Sequence, residues 1–192
     1  DEAIECYDEV LEIDPQYAKA WANKGAALGK QGKHEEAEKC LDEALKIDPK
    51  DGLAWYNKGN ALNQQGKHDE AEKCYDEAIK IDPENMNALL NKGGALGGQG
   101  KYEDMIRFSE KYLEIAKSKE IEYESYIALN NIADALLHLD RADEALEKIN
   151  ESIKMNDSYS NAWETKSEIL KKLGRNEEAQ KCFEKAKELE DL

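Results

Sequence analysis

Proline is scarce, three in 192 residues, and glycine adds only twelve. A chain so poor in both is no loop-rich or low-complexity segment, and its composition favours helix over strand. Basic residues are outnumbered, 27 Lys and Arg against 43 Asp and Glu, for a formal charge of −16. Such a surface repels a phosphate backbone or an anionic bilayer, so neither nucleic acid nor a membrane is expected as partner. No apolar run approaches the roughly 20 residues of a membrane span. The opening Asp1-Glu2 has none of the features of a secretory leader. Of the four cysteines, no two lie a few residues apart, as structural zinc sites require. With 40% hydrophobic residues the chain still has the means to build a core. These absences leave a soluble, mostly helical protein.

What is present repeats. All three prolines follow Ile-Asp, at Pro15, Pro49 and Pro83, with spacings of 34. Trp21 and Trp55 are also 34 apart, and Trp163 lies 108 beyond, which is three such periods plus six. Cys6, Cys40, Cys74 and Cys182 give the same spacings. Two residue types therefore report one period and one insertion of six residues, placed near Glu120 to Ser125. The units run 18–51, 52–85, 86–125 (divergent, with the insertion), 126–159 and 160–192, and residues 1–17 supply the second helix of a leading unit. Within a unit, Ala37, Leu41, Ala44 and Leu45 fall at helical spacing, as do Ala71, Tyr75, Ala78 and Ile79. Gly32 and Gly66 separate the two helices, and Asp48-Pro49 ends the second. A single helix pair cannot bury its apolar face, so the units must stack into one continuous solenoid.

This pattern resembles the tetratricopeptide repeat. The second unit matches it with Trp55, Gly59, Leu62, Gly66, Ala71, Tyr75, Ala78 and Pro83, and the first with Trp21, Gly25, Leu28, Gly32, Ala37, Leu41, Ala44 and Pro49. Asn-Lys-Gly at 23–25, 57–59 and 91–93 is similar to archaeal and bacterial members. The resemblance implies an all-α fold, a right-handed α-α superhelix of about eleven antiparallel helices with an inner and an outer layer. It also implies binding of a protein or extended peptide along the concave inner face, without catalysis and without a cofactor.

The third unit departs from its sisters. Gly93-Gly94-Ala95-Leu96-Gly97-Gly98-Gln99-Gly100 is no phosphate loop, because no Gly-Lys-Ser/Thr follows and no strand precedes. It reads as a helix of poor intrinsic stability. Met105, Ser109 and Tyr112 replace the Ala, Leu or Tyr, and Ala of the sister units, an exchange of large and small that keeps total volume. Between Gly100 and Gly174 there is neither Pro nor Gly, so the insertion should lengthen helices.

The chemistry-bearing residues also follow the period. The four cysteines share one place on the second helix and read as small apolar residues, reduced in a cytoplasmic setting. His34 and His68 share the place of Tyr102 and read as packing or hydrogen-bonding rings, and no nucleophile, base and acid come together with them or with His138. Lys24, Lys58, Lys92 and Lys166 recur at one place and read as stems buried with the ammonium in water.

Projection of the first helices onto the inner face selects Asn23, Tyr56, Asn57, Asn60, Asn87 and Leu90, then Asn91, Asn130 and Asn131. That face is nearly neutral and rich in Asn on a strongly acidic chain. Asn offers both a donor and an acceptor, so Asn23, Asn57, Asn91 and Asn131 form a candidate ladder for the backbone of an extended peptide. The Lys that clamps a peptide C-terminus in some relatives is replaced by Ala22 and Tyr56, which disfavours that mode. The expected function is a protein- or peptide-binding scaffold or adaptor. The alternative is the regulatory or targeting array of a larger enzyme such as a glycosyltransferase-like protein. Apolar residues at both ends of the stack, Ile4, Val10 and Leu11 against Phe183, Ala186 and Leu189, add head-to-tail self-association as an expectation.

Overall fold

The computed structural model describes residues 2–121 and 124–191. Among them are eleven α-helices and no strand: α1 (Glu2–Ile13), α2 (Ala18–Lys30), α3 (His34–Ile47), α4 (Gly52–Gln64), α5 (His68–Ile81), α6 (Met86–Gly98), α7 (Tyr102–Ser118), α8 (Ser125–His138), α9 (Ala142–Met155), α10 (Ser160–Lys172) and α11 (Asn176–Glu190). They form two compact units, α1–α6 and α7–α11, with the division between α6 and α7, inside the third repeat. In the first unit each helix packs on its sequence neighbour, and α4 also contacts α2 and α6. In the second unit α8 likewise contacts α10. The first helices of successive repeats therefore line up as one layer within each unit.

Local chemistry explains each boundary. Gly32, Gly66, Gly100 and Gly174 all have φ between 73° and 77°, the left-handed conformation that closes a helix. There the next N–H reaches back to the last turn, as Lys33 N does to the Leu28 carbonyl at 3.0 Å and Lys67 N to Leu62 at 3.0 Å. Asp140 takes the same conformation at φ 59° where the other repeats have Gly. After the second helix, Asp14, Asp48 and Asp82 each accept from the backbone N–H two residues on, at 3.0–3.1 Å. Over these turns the indole N–H of Trp21, Trp55 and Trp163 donates to the carbonyls of Pro15, Pro49 and Asp157 at 2.8–3.0 Å. Asp51 and Asn85 cap α4 and α6 by accepting from Ala54 and Ala88 N–H, both at 3.0 Å.

The core forms where small residues let the paired helices close. Ala37, Leu41 and Ala44 are fully buried, as are Ala71, Tyr75 and Ala78. A Cβ on Gly25 would stand 2.6 Å from Leu41 Cγ, and one on Gly59 would stand 2.6 Å from Tyr75 Cε1. In the second unit Ser167 occupies this glycine place, and its hydroxyl donates to the Ala179 carbonyl at 2.8 Å. The exchange of large and small is present as expected: Met105, Ser109 and Tyr112 are all buried. Ser109 Oγ has no hydrogen-bond partner among the described residues. The insertion chiefly lengthens α7, to 17 residues against 14 in α3 and α5. Residues 122 and 123 of the expected insertion lie outside the described residues.

The recurring lysines differ from the expectation of water-borne ammonium groups. Lys24 pairs with Asp8, Lys58 with Asp42 at 2.5 Å, and Lys92 with Asp76 at 2.5 Å. Each pair joins the second helix of one repeat to the first helix of the next. The stems lie low on the surface, where the nearest polar partner is the facing carboxylate. The stems are buried as expected, and the ammonium groups of Lys24, Lys58 and Lys92 meet a carboxylate. Lys24, Lys58 and Lys166 also stand 5.6–5.7 Å from the ring centroids of Trp21, Trp55 and Trp163.

The glycines of α6 are unequal, and substitution will show it. A Cβ at Gly94 meets nothing within 4 Å, whereas one at Gly98 would stand 2.7 Å from His68 Nε2. Gly94→Ala should raise stability by about 0.5–1 kcal/mol through helix propensity. Gly98→Ala should fall roughly 1 kcal/mol below it, because the His68 ring must move off its bond to Asn63. Urea unfolding of the two variants side by side gives the comparison, and equal stabilities would contradict the close approach.

Candidate functional site

A cavity of about 470 Å³ opens on the layer formed by α2, α4 and α6 of the first unit. Its existence follows from a mismatch between successive repeats. On α2 the residues facing it are small, Gly25, Ala26 and Gly29. On α4 the equivalent and neighbouring places carry Tyr56, Asn57, Asn60, Asn63 and Gln64. Asn91 of α6 closes one side, and Lys30 and His34 stand at the α2–α3 end. The glycine floor thus comes from α2, and Gly94 and Gly98 are not among the lining residues.

The polar side chains are ordered by one another. Tyr75, buried on α5, donates its hydroxyl proton to Asn60 Oδ1 at 2.9 Å. Asn91 Nδ2 donates to the same oxygen at 2.7 Å and to the Tyr56 hydroxyl at 3.3 Å. His68 Nδ1 lies 2.7 Å from Asn63 Oδ1. An amide oxygen only accepts, so that ring nitrogen carries a proton. Burial, above all, pushes the Tyr75 phenol upward, with Tyr56 adding to the shift. Tyr75 therefore stays a neutral donor. Asn57 makes no side-chain hydrogen bond to any described residue and is half-buried at the cavity.

The remaining inner-face residues are distributed as follows. Asn23 and Asn87 are exposed, while Leu90 is buried. Asn130 of α8 is buried with Oδ1 unpaired among the described residues, and Asn131 is half-buried. Along α8, burial pushes the Asp134 carboxyl upward, partly offset by His138. The His138 ring stacks on Tyr102 with centroids 4.4 Å apart. Among the described residues no group of His, Cys, Asp and Glu could hold a metal ion, and no helix is long and apolar enough to cross a membrane.

Models described as tetratricopeptide repeat match residues 18–51, 52–85, 109–160 and 160–191, and one described as TPR repeat matches residues 1–32. The chain belongs to the tetratricopeptide repeat family. An uncharacterized protein of Methanocaldococcus jannaschii is 36% identical over 70 residues, which is 36% of this chain and 73% of that protein. Solved tetratricopeptide-type structures superpose on most of the chain. Pseudomonas aeruginosa PilF has a TM-score of 0.74 at 22% identity, covering 89% of this chain and 75% of PilF. YrrB, a TPR protein with an unusual peptide-binding site, gives 0.72 at 18% identity, covering 97% and 93%. MamA of Desulfovibrio magneticus gives 0.74 at 20% identity, covering 91% and 95%. At these identities the likeness shows a shared fold.

The repeat projection placed Lys30 on the inner face and read His34 as a packing or hydrogen-bonding ring, but it missed Asn63 and the role of Tyr75. The usable signal was a break in the period. Asn60 and Asn63 stand where the tetratricopeptide unit before has Ala26 and Gly29 and the unit after has Gly94 and Gly97. A polar pair between two small pairs marks a filled place beside an empty one.

Two predictions separate supporting residues from open ones. Asn60→Ala strands the buried Tyr75 hydroxyl and should cost about 1–3 kcal/mol. Asn57→Ala removes no internal bond and should stay within about 0.5 kcal/mol of the parent by thermal unfolding. Equal losses would show that Asn57 is part of the same support. The cysteines give the second test. Burial pushes Cys74 up to about 11 and raises Cys40 and Cys182, whereas Cys6 is exposed. At neutral pH a thiol reagent should consume one cysteine quickly and the other three only after unfolding. Rapid reaction of all four would contradict the buried placement.

Proposed function

We propose that this tetratricopeptide chain is a non-catalytic interaction scaffold that holds an extended peptide segment of a partner protein on the α2–α4–α6 face. The observation that carries the reading is the cavity itself. It is open, large enough to take a side chain, and lined by polar groups of which Asn60, Asn63 and Asn91 are held in orientation by bonds to Tyr75, His68 and each other. Preorganised polar groups lose little entropy on binding, which favours recognition over mere solvation. Asn57 supplies both a donor and an acceptor to a peptide backbone, and Tyr56 and the α2 glycines supply flat contact area. The candidate ladder is thereby reduced on this face. Asn91 spends its donors on Asn60 and Tyr56, so of the ladder asparagines at the cavity Asn57 keeps both its donor and its acceptor for the ligand. YrrB, of the same fold, has a peptide-binding site, which is consistent with such a use.

The test is panning of a displayed library of short random peptides against the whole chain. The parent should enrich a family of peptides, and Asn57→Ala should reduce their retention at least tenfold, about 1.4 kcal/mol, with the helical signal and melting point unchanged. Retention that survives Asn57→Ala would place binding elsewhere, and failure to enrich any peptide would remove the reading.

A further inference from the structure

We infer that the cavity between α2 and α4 selects an acidic side chain, Asp or Glu, from the extended peptide; this rests on the peptide-groove reading. The bonds among the lining side chains determine which hydrogen-bonding groups stay open to a ligand. Asn60 Oδ1 already receives two protons, from Tyr75 and from Asn91. A carbonyl oxygen has two lone pairs, so Asn60 has only its Nδ2 protons left for a ligand. Asn63 turns its oxygen to the His68 Nδ1 proton and likewise keeps its Nδ2 protons. The Tyr56 hydroxyl accepts from Asn91 and retains its own hydrogen. Lys30 brings donors alone, and no carboxylate pairs with it among the described residues. Asn57 and Gln64 keep both a donor and an acceptor and Asn91 keeps its oxygen, but on the side chains bonded to one another and on Lys30 the groups left open are mostly donors.

The charge distribution agrees. None of the residues lining the cavity is Asp or Glu, on a chain carrying 43 of them, and its one fixed charge is the Lys30 ammonium. An ionised carboxylate is an acceptor-only group and matches such a lining. A Lys or Arg side chain would meet the Lys30 ammonium with no lining carboxylate to receive it. An amide side chain could use some of the donors but gains nothing from Lys30. The chain's charge of −16 does not forbid an acidic ligand. At physiological ionic strength exposed charges are screened beyond about 8 Å, so the groups inside the cavity decide.

The experiment uses the full chain and short peptides acetylated and amidated at their ends, so that only side chains carry charge. The retained set should be enriched in Asp or Glu at one position. Replacing that residue by Asn or Gln should weaken binding at least tenfold at low salt and less at high salt. Lys30→Gln, an exposed change checked by an unaltered helical signal, should weaken the acidic peptide by a similar factor and leave its amide counterpart unchanged. Enrichment without acid preference, or of basic peptides, overturns the inference and leaves the groove standing. Acid preference that Lys30→Gln does not diminish also overturns it, because the acid then sits elsewhere. Capture confined to peptides with a free C-terminal carboxylate does the same. Retention of no peptide, or retention indifferent to Asn57→Ala, removes the groove reading itself and this inference with it.

Discussion

The ring of Tyr75 lies over the bare backbone of Gly59, and the rest of the first unit's face depends on that contact. With no side chain on Gly59, α4 and α5 close until the phenol passes beneath α4. Its hydroxyl then emerges beside Asn60. In the preceding repeat Leu41 sits over Gly25 in the same way but carries no polar tip, so nothing there organises the inner layer. One aromatic hydroxyl therefore links the apolar core of a helix pair to the polar surface in front of it. Burial keeps that phenol protonated, which fixes the direction of every bond beyond it.

Polarity is sorted by layer. The carboxylates that give the chain its charge pair with lysines between repeats, as Asp42 does with Lys58, or stand on the second helices. The α2–α4 cavity holds amides, a phenol and one ammonium. Acidic second helices repel other acidic surfaces at long range, while the inner layer of the first unit carries little charge.

Much of this was legible in the sequence because the fold is periodic. The turn glycines, the Asp-Pro stops, the tryptophans and the buried cysteines recur at fixed places, and recurrence at a place means a recurrent environment. The helices follow those marks closely. The candidate binding face was less legible for a reason that the asparagines make plain. Asn23, Asn57 and Asn91 share one place, yet the first is exposed, the second half-buried without a partner, and the third bonded to Asn60 and Tyr56. A repeat place sets the direction of a side chain but not its neighbour. Behind Asn57 the residues equivalent to Asn60 and Tyr56 are Ala26 and Ala22, which cannot accept its protons. The lysine pairs were legible in principle, since Asp8 and Lys24, Asp42 and Lys58, and Asp76 and Lys92 are each 16 residues apart.

That last spacing bears on how such an array grows. The first and second repeats each carry the lysine for the joint before and the aspartate for the joint after, Lys24 with Asp42 and Lys58 with Asp76. A tandem copy of one segment therefore arrives with a matching half at both boundaries, and the new seam is electrically balanced at once. The indole clasp on the turn travels within the same segment. Copying or removing such a repeat within residues 1–99 leaves those seams chemically complete, so their number is free to drift while the residues that line the cavity diverge.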